Sequence, residues 1–156
     1  MKFSTKADIA APADAVFRAV TDFSAFERAA LRRGATMART DTMAVPGVGM
    51  GWTGKFPFRA KPRAVTLRIA SFAPPSGLHV TGFTPNLDLM LTFEVIALAR
   101  SQSRLTAGLE VKPKTLTARL LIQSAKLGKA GLDRKFAKRV AAFAASIAER
   151  HAQAAV

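Results

Sequence analysis

A long stretch of alternating polarity, residues 35–112, constrains the fold of this chain more than any other feature. Apolar and polar residues alternate through about eighty positions there, which is the period of strands with one covered face. Clusters of glycine, proline, serine and asparagine interrupt the alternation and mark turns. Short links of this kind favour antiparallel neighbours, because parallel strands need long crossovers. The pattern predicts strands near 35–43, 50–58, 63–73, 77–83, 87–98 and 103–112.

The segment before this stretch predicts one further strand and two short helices. Residues 2–9, "KFSTKADI", alternate as a strand with one covered face. Pro12 is suited to the start of a first helix, because proline has no backbone N–H and an N–H at that position would have no partner within the helix. A second helix is expected from Ser24 as N-cap, with Glu27 three residues later as its capping-box partner, to Gly34 as the stop signal.

The segment after the alternating stretch returns to a helical period. An apolar stripe at spacings of three and four residues predicts a long amphipathic helix, with a bend or break at Gly128 and Gly131. The other face of this helix is basic. The stripe consists of Leu132, Phe136, Val140, Phe143 and Ile147, and the basic residues are Lys126, Lys129, Arg134, Lys135, Lys138 and Arg139.

The glycine-rich segment "VPGVGMGWTGKF", residues 45–56, has the spacing of a phosphate-binding loop but not its context. Such a loop follows a strand and opens a helix, so that backbone N–H groups and the helix N-terminus point at the anion. Here an aromatic, strand-like segment follows the glycines, and no GKS or GKT is present. We therefore interpret the segment as a flexible connection between two strands.

Composition bounds the class of protein. The 156 residues are 49% apolar, which fits a single domain over residues 1–156. The chain has no cysteine, so disulfides, thiol nucleophiles and thiolate metal sites are excluded. No signal-peptide pattern and no apolar run of the roughly 18 residues that span a membrane is apparent. A cytoplasmic location is therefore expected.

The order of these elements resembles the helix-grip fold of the START/Bet v 1-like superfamily, also called SRPBCC or polyketide cyclase/dehydrase-like. The resemblance covers nearly the whole chain. "DIAAPADAVFRAVTDFSAF" is similar to the superfamily's entry pattern, and "GVGMGWTG" resembles its glycine-rich hairpin before a Trp-bearing strand. The resemblance implies an α+β fold, in which a seven-stranded curved antiparallel sheet surrounds the long C-terminal helix. It also implies a cavity that binds lipids, hormones or polyketide-like molecules, and some members are cyclases.

The ionisable residues are few for an enzyme. His79 points opposite Leu78 and Val80, so it faces either the cavity or solvent, and His151 lies near the chain end. Arg39 and Asp41 lie two residues apart on one predicted strand. They form either a polar pair that orients a ligand or a surface ion pair. We assign no catalytic residue and expect no metal and no cofactor.

The expected function is binding, with transport as an extension, of a hydrophobic or amphipathic small molecule or lipid between the sheet and the C-terminal helix. The alternative is a polyketide cyclase or dehydratase that uses the same cavity, with His79 or the Arg39–Asp41 pair in proton transfer or polarisation. The same apolar residues also describe an ordinary core. The candidate lining residues are Trp52, Phe56, Phe58, Leu67, Ile69, Leu89, Leu91, Phe93, Leu105, Leu109, Phe136, Val140, Phe143 and Ile147, with Arg39, Asp41 and His79 as polar candidates.

The formal net charge of +14 is the least expected property of the chain. It attracts polyanions at low salt. Nucleic acid is not the expected partner, because neither a recognisable module nor stacking aromatics among the basic residues is present. The cluster from Lys126 to Arg139 is either a solvated surface or a surface that docks on an anionic membrane. The sequence carries no signal for an oligomeric state.

Overall fold

The structure, a computed structural model, describes residues 1–154. That part of the chain contains seven strands and four helices. The strands are β1 (Lys2–Ile9), β2 (Thr36–Arg39), β3 (Gly51–Phe58), β4 (Lys61–Ala73), β5 (Gly77–Phe83), β6 (Leu87–Ala99) and β7 (Gln102–Pro113). The helices are α1 (Ala13–Val20), α2 (Phe23–Arg32), α3 (Leu116–Lys126) and α4 (Lys129–Ala154).

The seven strands form one antiparallel sheet in the order β1-β7-β6-β5-β4-β3-β2. Each strand from β2 to β7 pairs with its neighbour along the chain, as the short turns predict. The first strand, β1, pairs instead with the last, β7. The predicted seven-stranded helix-grip architecture is confirmed.

Strand register places the apolar residues of neighbouring strands opposite one another on one face of the sheet. One row across the sheet runs through Phe3, Leu109, Leu91, Val80 and Ile69, each paired with the next. Because side chains alternate between the two faces of a strand, this pairing collects the apolar residues on the side that the helices cover. We call this side the concave face and the other the convex face.

The two short helices after β1 differ from the prediction in one detail. Helix α1 buries Val16, Phe17 and Val20 against the sheet. Helix α2 begins two residues earlier than expected, with Asp22 as its N-cap, and the Asp22 side chain accepts the N–H of Ala25 at 3.2 Å. The prediction of Ser24 as N-cap was therefore wrong. Asp22 provides the same side-chain acceptor, and Glu27 is free to bond elsewhere.

The C-terminal helical segment is two helices. The break falls at residues 127 and 128, so the predicted interruption at Gly128 is confirmed, whereas Gly131 lies inside α4. Helix α4 packs mainly against β1. Its Phe136 ring centre lies 5.9 Å from that of Phe3. The long helix therefore covers the β1 side of the concave face, α1 packs against β6 and β7, and α2 lies nearest β2.

Candidate functional site

A cavity of about 320 Å³ lies between α2 and the central strands. Its volume falls at the lower end of the range for small-molecule sites. Of its twelve lining residues, eleven are apolar. They are Val20, Phe23, Phe26, Ala30, Met37, Trp52, Leu67, Leu78, Val80, Leu91 and Phe93; the twelfth is Glu27.

Helix α2 forms the roof of the cavity through one of its faces. Phe23, Phe26, Glu27 and Ala30 recur at i, i+3, i+4 and i+7, which places them on a single stripe. None of the α2 residues is fully buried. The helix therefore spans the concave face without packing tightly into it, and this leaves the space below.

Trp52 forms the wall on β3 and is 5% exposed. Its ring centre lies 5.1 Å from that of Phe23 on α2. Its indole Nε1 donates to Glu27 Oε1 at 2.8 Å. This bond satisfies the one polar group of a buried tryptophan and fixes the Glu27 side chain at the cavity wall.

An ion pair lies beside Trp52, outside the apolar lining. The Arg39 guanidinium carbon lies 5.8 Å from the centre of the Trp52 ring, a cation–π arrangement. Arg39 Nε donates to Asp41 Oδ2 at 2.9 Å, Nη2 also donates to Asp41, and Nη2 donates to the Met43 carbonyl at 3.0 Å. Asp41 further accepts the N–H groups of Gly51 and Met43, each at 2.9 Å.

These bonds perturb the acid–base properties of the pair. The Arg39 side chain and then the Gly51 N–H hold the pKa of the Asp41 carboxyl well below its usual range, because each donor stabilises the charged form. The bond to Asp41 raises the pKa of Arg39. Arg39 and Asp41 thus form a hydrogen-bonded ion pair.

The sequence candidates fall into distinct places. Trp52, Leu67, Leu91 and Phe93 line the cavity. Ile69, Leu105 and Ile147 are buried in the core, and Phe143 packs against it with its ring 5.8 Å from that of Phe26. The candidates outside the lining are Phe56, Leu89, Leu109, Phe136 and Val140, all partly buried, and Phe58, which is 44% exposed at the end of β3.

His79 lies on the convex face. Its neighbours Leu78 and Val80 are buried and line the cavity, so the alternation of β5 turns the imidazole the other way. It is paired across the sheet with Ser71 and Thr92. Of the polar candidates, the structure therefore brings only Arg39 and Asp41 near the cavity.

Sequence reasoning missed the α2 contribution. Phe23, Phe26, Glu27 and Ala30 had the spacing of one helical stripe, but Glu27 was assigned to a capping box. It also missed Leu78 and Val80, although both alternate with His79 in the predicted strand. The signal was the alternation itself, because Leu78 and Val80 are the apolar residues on either side of His79.

Several solved structures share this fold at low sequence identity. The chain is similar to the ZhuI aromatase/cyclase from Streptomyces sp. R1128, with TM-score 0.67 and 13% identity over 99% of this chain and 97% of that one. It is similar to norcoclaurine synthase from Thalictrum flavum, solved in complex with dopamine and hydroxybenzaldehyde, with TM-score 0.60 and 14% identity over 90% and 86% of the two chains. A START superfamily protein from Mycobacterium smegmatis gives TM-score 0.56 and 12% identity, over 86% and 95%.

No family model matches the sequence, and no curated protein matches it at the sequence level. The structural matches nevertheless cover nearly the whole chain. The fold expected from the sequence resemblance is confirmed: the chain has the START/Bet v 1-like helix-grip fold. Within residues 1–154, no helix is long and apolar enough to cross a membrane.

Proposed function

We propose that this protein binds a hydrophobic or amphipathic small molecule in the cavity between α2 and the central strands. The observation that carries the proposal is the cavity itself, about 320 Å³ in volume, in which eleven of the twelve lining residues are apolar. Burial of apolar ligand surface contributes roughly 25 cal/mol per Å² before the costs of association. Such a wall favours an apolar ligand body over a polar one.

The location differs from the one that the sequence suggested. The expected site lay between the sheet and the C-terminal helix, but no α4 residue is among the twelve that line the cavity. Helix α4 takes part indirectly, because Phe143 packs against Phe26 of the roof. Norcoclaurine synthase, which shares the fold, was solved with small aromatic molecules, and this similarity supports a ligand of that size class.

A cyclase or dehydratase is the alternative function, and it has weaker support. Its candidate groups were His79 and the Arg39–Asp41 pair. His79 lies on the convex face, and Arg39 donates to Asp41 and to the Met43 carbonyl. None of these three residues is among those that line the cavity. Binding is therefore the function that the geometry favours.

Fluorescence from Trp52 tests the binding proposal, because it is the one tryptophan of the chain and lines the cavity. N-phenyl-1-naphthylamine absorbs at the wavelengths at which tryptophan emits. When this probe occupies the cavity, Trp52 emission should fall and probe emission should rise by energy transfer. Ala30→Phe places a ring in the cavity from α2 and should abolish the transfer. Ala142→Phe, on the exposed face of α4, is the matched control and should leave it unchanged. Equal energy transfer in Ala30→Phe and Ala142→Phe would mean that the probe binds outside the cavity and would contradict the proposal.

A second proposal concerns an exposed surface, the α3–α4 surface, formed by Leu116, Leu120 and Leu127 with the exposed basic residues of the same two helices. Leu116 and Leu120 lie one turn apart on α3, and Leu127 follows directly after its end; the three are 73%, 63% and 92% exposed. Lys126, Arg134, Lys135, Lys138 and Arg139 are exposed nearby along the chain. Exposed apolar side chains together with exposed cations favour the surface of an anionic bilayer. We propose that this surface docks the protein on anionic membranes.

Vesicle binding tests the second proposal. Lys126→Glu, Lys135→Glu and Lys138→Glu together should abolish binding to phosphatidylserine vesicles, and Leu120→Gln with Leu127→Gln should weaken it without a change in charge. The control set, Lys2→Glu, Lys6→Glu and Lys55→Glu, changes the net charge equally at exposed positions on other elements. Lys129 is not used, because it is paired with Asp133 at 3.0 Å. Equal loss in both charge sets, or equal binding of duplex DNA, would contradict a specific membrane surface.

A further inference from the structure

The β3–β4 hairpin carries a group of cations that the functions proposed above do not use. Its residues Arg59, Lys61 and Arg63 form no ion pair within residues 1–154, and the sequence has no Asp or Glu between Asp41 and Asp88. Uncompensated cations on one element attract polyanions. We propose that this hairpin binds single-stranded nucleic acid, at a site separate from the cavity and from the α3–α4 surface.

The hairpin projects from the sheet as a two-stranded ribbon. Strand β2 begins opposite Lys55 and β5 ends opposite Thr66, so the strand residues between 56 and 65 pair only with one another. Pro57 and Pro62 lie opposite each other in this ribbon. Because proline lacks the N–H that a further strand would need, the ribbon is poorly suited to strand addition. Its side chains are therefore the surface that it offers to a partner.

One face of the ribbon repeats the two groups that recognise a nucleotide. Phe58 lies opposite Lys61, and Phe56 lies opposite Arg63. Because residues two apart share a face, each row of this face has one aromatic ring and one cation, and the rows recur about every 7 Å. A single strand of nucleic acid likewise repeats one base and one phosphate. Its bases stack on aromatic rings, and its phosphates are attracted to Lys and Arg.

Phe58 is the more accessible of the two rings. It is 44% exposed, whereas Phe56 is partly buried. Arg59 and Ala60 form the two-residue turn with φ values of 52° and 61°, and the Arg59 guanidinium carbon lies 5.5 Å from the centre of the Phe58 ring. A ring and a cation thus lie together at the tip. Nucleic acid was not expected from the sequence, since only the pairing across this turn sets the rings beside the cations.

Fluorescence anisotropy with a labelled oligothymidylate tests the role of the cations. The hairpin set, Arg59→Gln with Lys61→Gln and Arg63→Gln, should weaken binding roughly tenfold or more at low salt. It should also reduce the slope of log affinity against log salt by about two, because each phosphate contact to a single strand contributes roughly 0.7 to that slope. If the hairpin set fails to fold, Arg59→Gln with Lys61→Gln, both exposed, should reduce the slope by about 1.4.

The control set removes the same charge from exposed positions on α3 and α4. It consists of Lys126→Gln, Lys135→Gln and Lys138→Gln, and it should leave the salt slope unchanged. An equal loss of affinity and of slope in the two sets would mean that the charge of the whole molecule attracts the oligonucleotide, and this would overturn the inference.

Phe58→Leu tests stacking without a change in charge. It should weaken oligothymidylate binding roughly tenfold and leave the weaker binding of a duplex of equal length unchanged, because a duplex keeps its bases stacked inside. Phe83→Leu is the matched control, since Phe83 is 52% exposed on β5 and also has a cation, Lys114, over its ring. Equal affinity of Phe58→Leu and wild type for oligothymidylate would contradict stacking on this ring.

Phosphatidylserine vesicles distinguish the other polyanionic partner. The hairpin set should bind them as the wild type does. Loss of vesicle binding in the hairpin set with oligothymidylate binding retained would assign the hairpin to membranes and overturn the inference, as would a wild type that does not bind oligothymidylate at low salt.

Discussion

Asp41 combines structural and electrostatic roles at the edge of the cavity. Its carboxylate accepts from Arg39 and from the N–H groups of Met43 and Gly51. The Gly51 bond joins the segment after β2 to the first residue of β3, where Trp52 follows. Asp41 therefore holds both the cation above Trp52 and the strand that carries it.

The depressed pKa of Asp41 predicts a pH-dependent contribution to stability. Its pKa in the folded state lies below the unfolded value of about 3.9. The stabilisation is therefore fully present above the unfolded pKa and is lost as the pH falls through the lower folded pKa. Asp41→Asn should lower the free energy of unfolding at pH 7, and its difference from wild type should shrink below about pH 4.

Urea unfolding across this pH range measures that difference. Asp14→Asn is the matched control, because Asp14 is exposed and pairs with Arg18 at 3.2 Å in a simple i,i+4 ion pair, which contributes little to stability. An Asp41→Asn difference that stays constant down to the acid limit would contradict the assigned bonds.

For single residues, the alternation of a strand predicts which side chains share a face, but not which face the helices cover. The sequence predicted that His79 points opposite Leu78 and Val80, and it left open which side is covered. That choice depends on the helices, which are distant in sequence. The partner of Glu27 was also beyond local reasoning, because Trp52 lies 25 residues away and the two meet only when α2 folds over β3.

At the scale of elements, strands were predicted well where alternation and turns agree. β6 was expected at 87–98 and spans Leu87–Ala99, and β7 was expected at 103–112 and spans Gln102–Pro113. β2 was overestimated, since the strand ends at Arg39 and not near residue 43. The Asp41 side chain accepts the Gly51 N–H, and this bond replaces strand pairing there.

The glycine-rich segment shows the physical basis of one prediction. Gly49 has a φ of 95°, which favours glycine. Its N–H donates to the Ile69 carbonyl at 3.0 Å, so the segment returns the chain to the edge of β4 before β3 begins. The interpretation as a connection between strands, not a phosphate loop, agrees with this geometry.

For the whole molecule, the sequence indicated the architecture but not the position of the ligand space. An apolar stripe indicates that one face of a helix packs against the core, but it does not indicate which strands that face covers. The α4 stripe was expected opposite the central strands, whereas α4 packs mainly against β1 and α2 roofs the cavity. The predicted lining set therefore contained Trp52, Leu67, Leu91 and Phe93 but none of the α2 residues.

The central claim is that this cavity holds a small apolar molecule, and native mass spectrometry of the protein purified from its own host tests it most directly. The account predicts an additional mass of one small molecule on the wild type and on Ala142→Phe, and its loss from Ala30→Phe, which fills the cavity. An identical additional mass on folded Ala30→Phe, or a wild type that carries none and takes up no lipid or aromatic amine from a library, would contradict the claim.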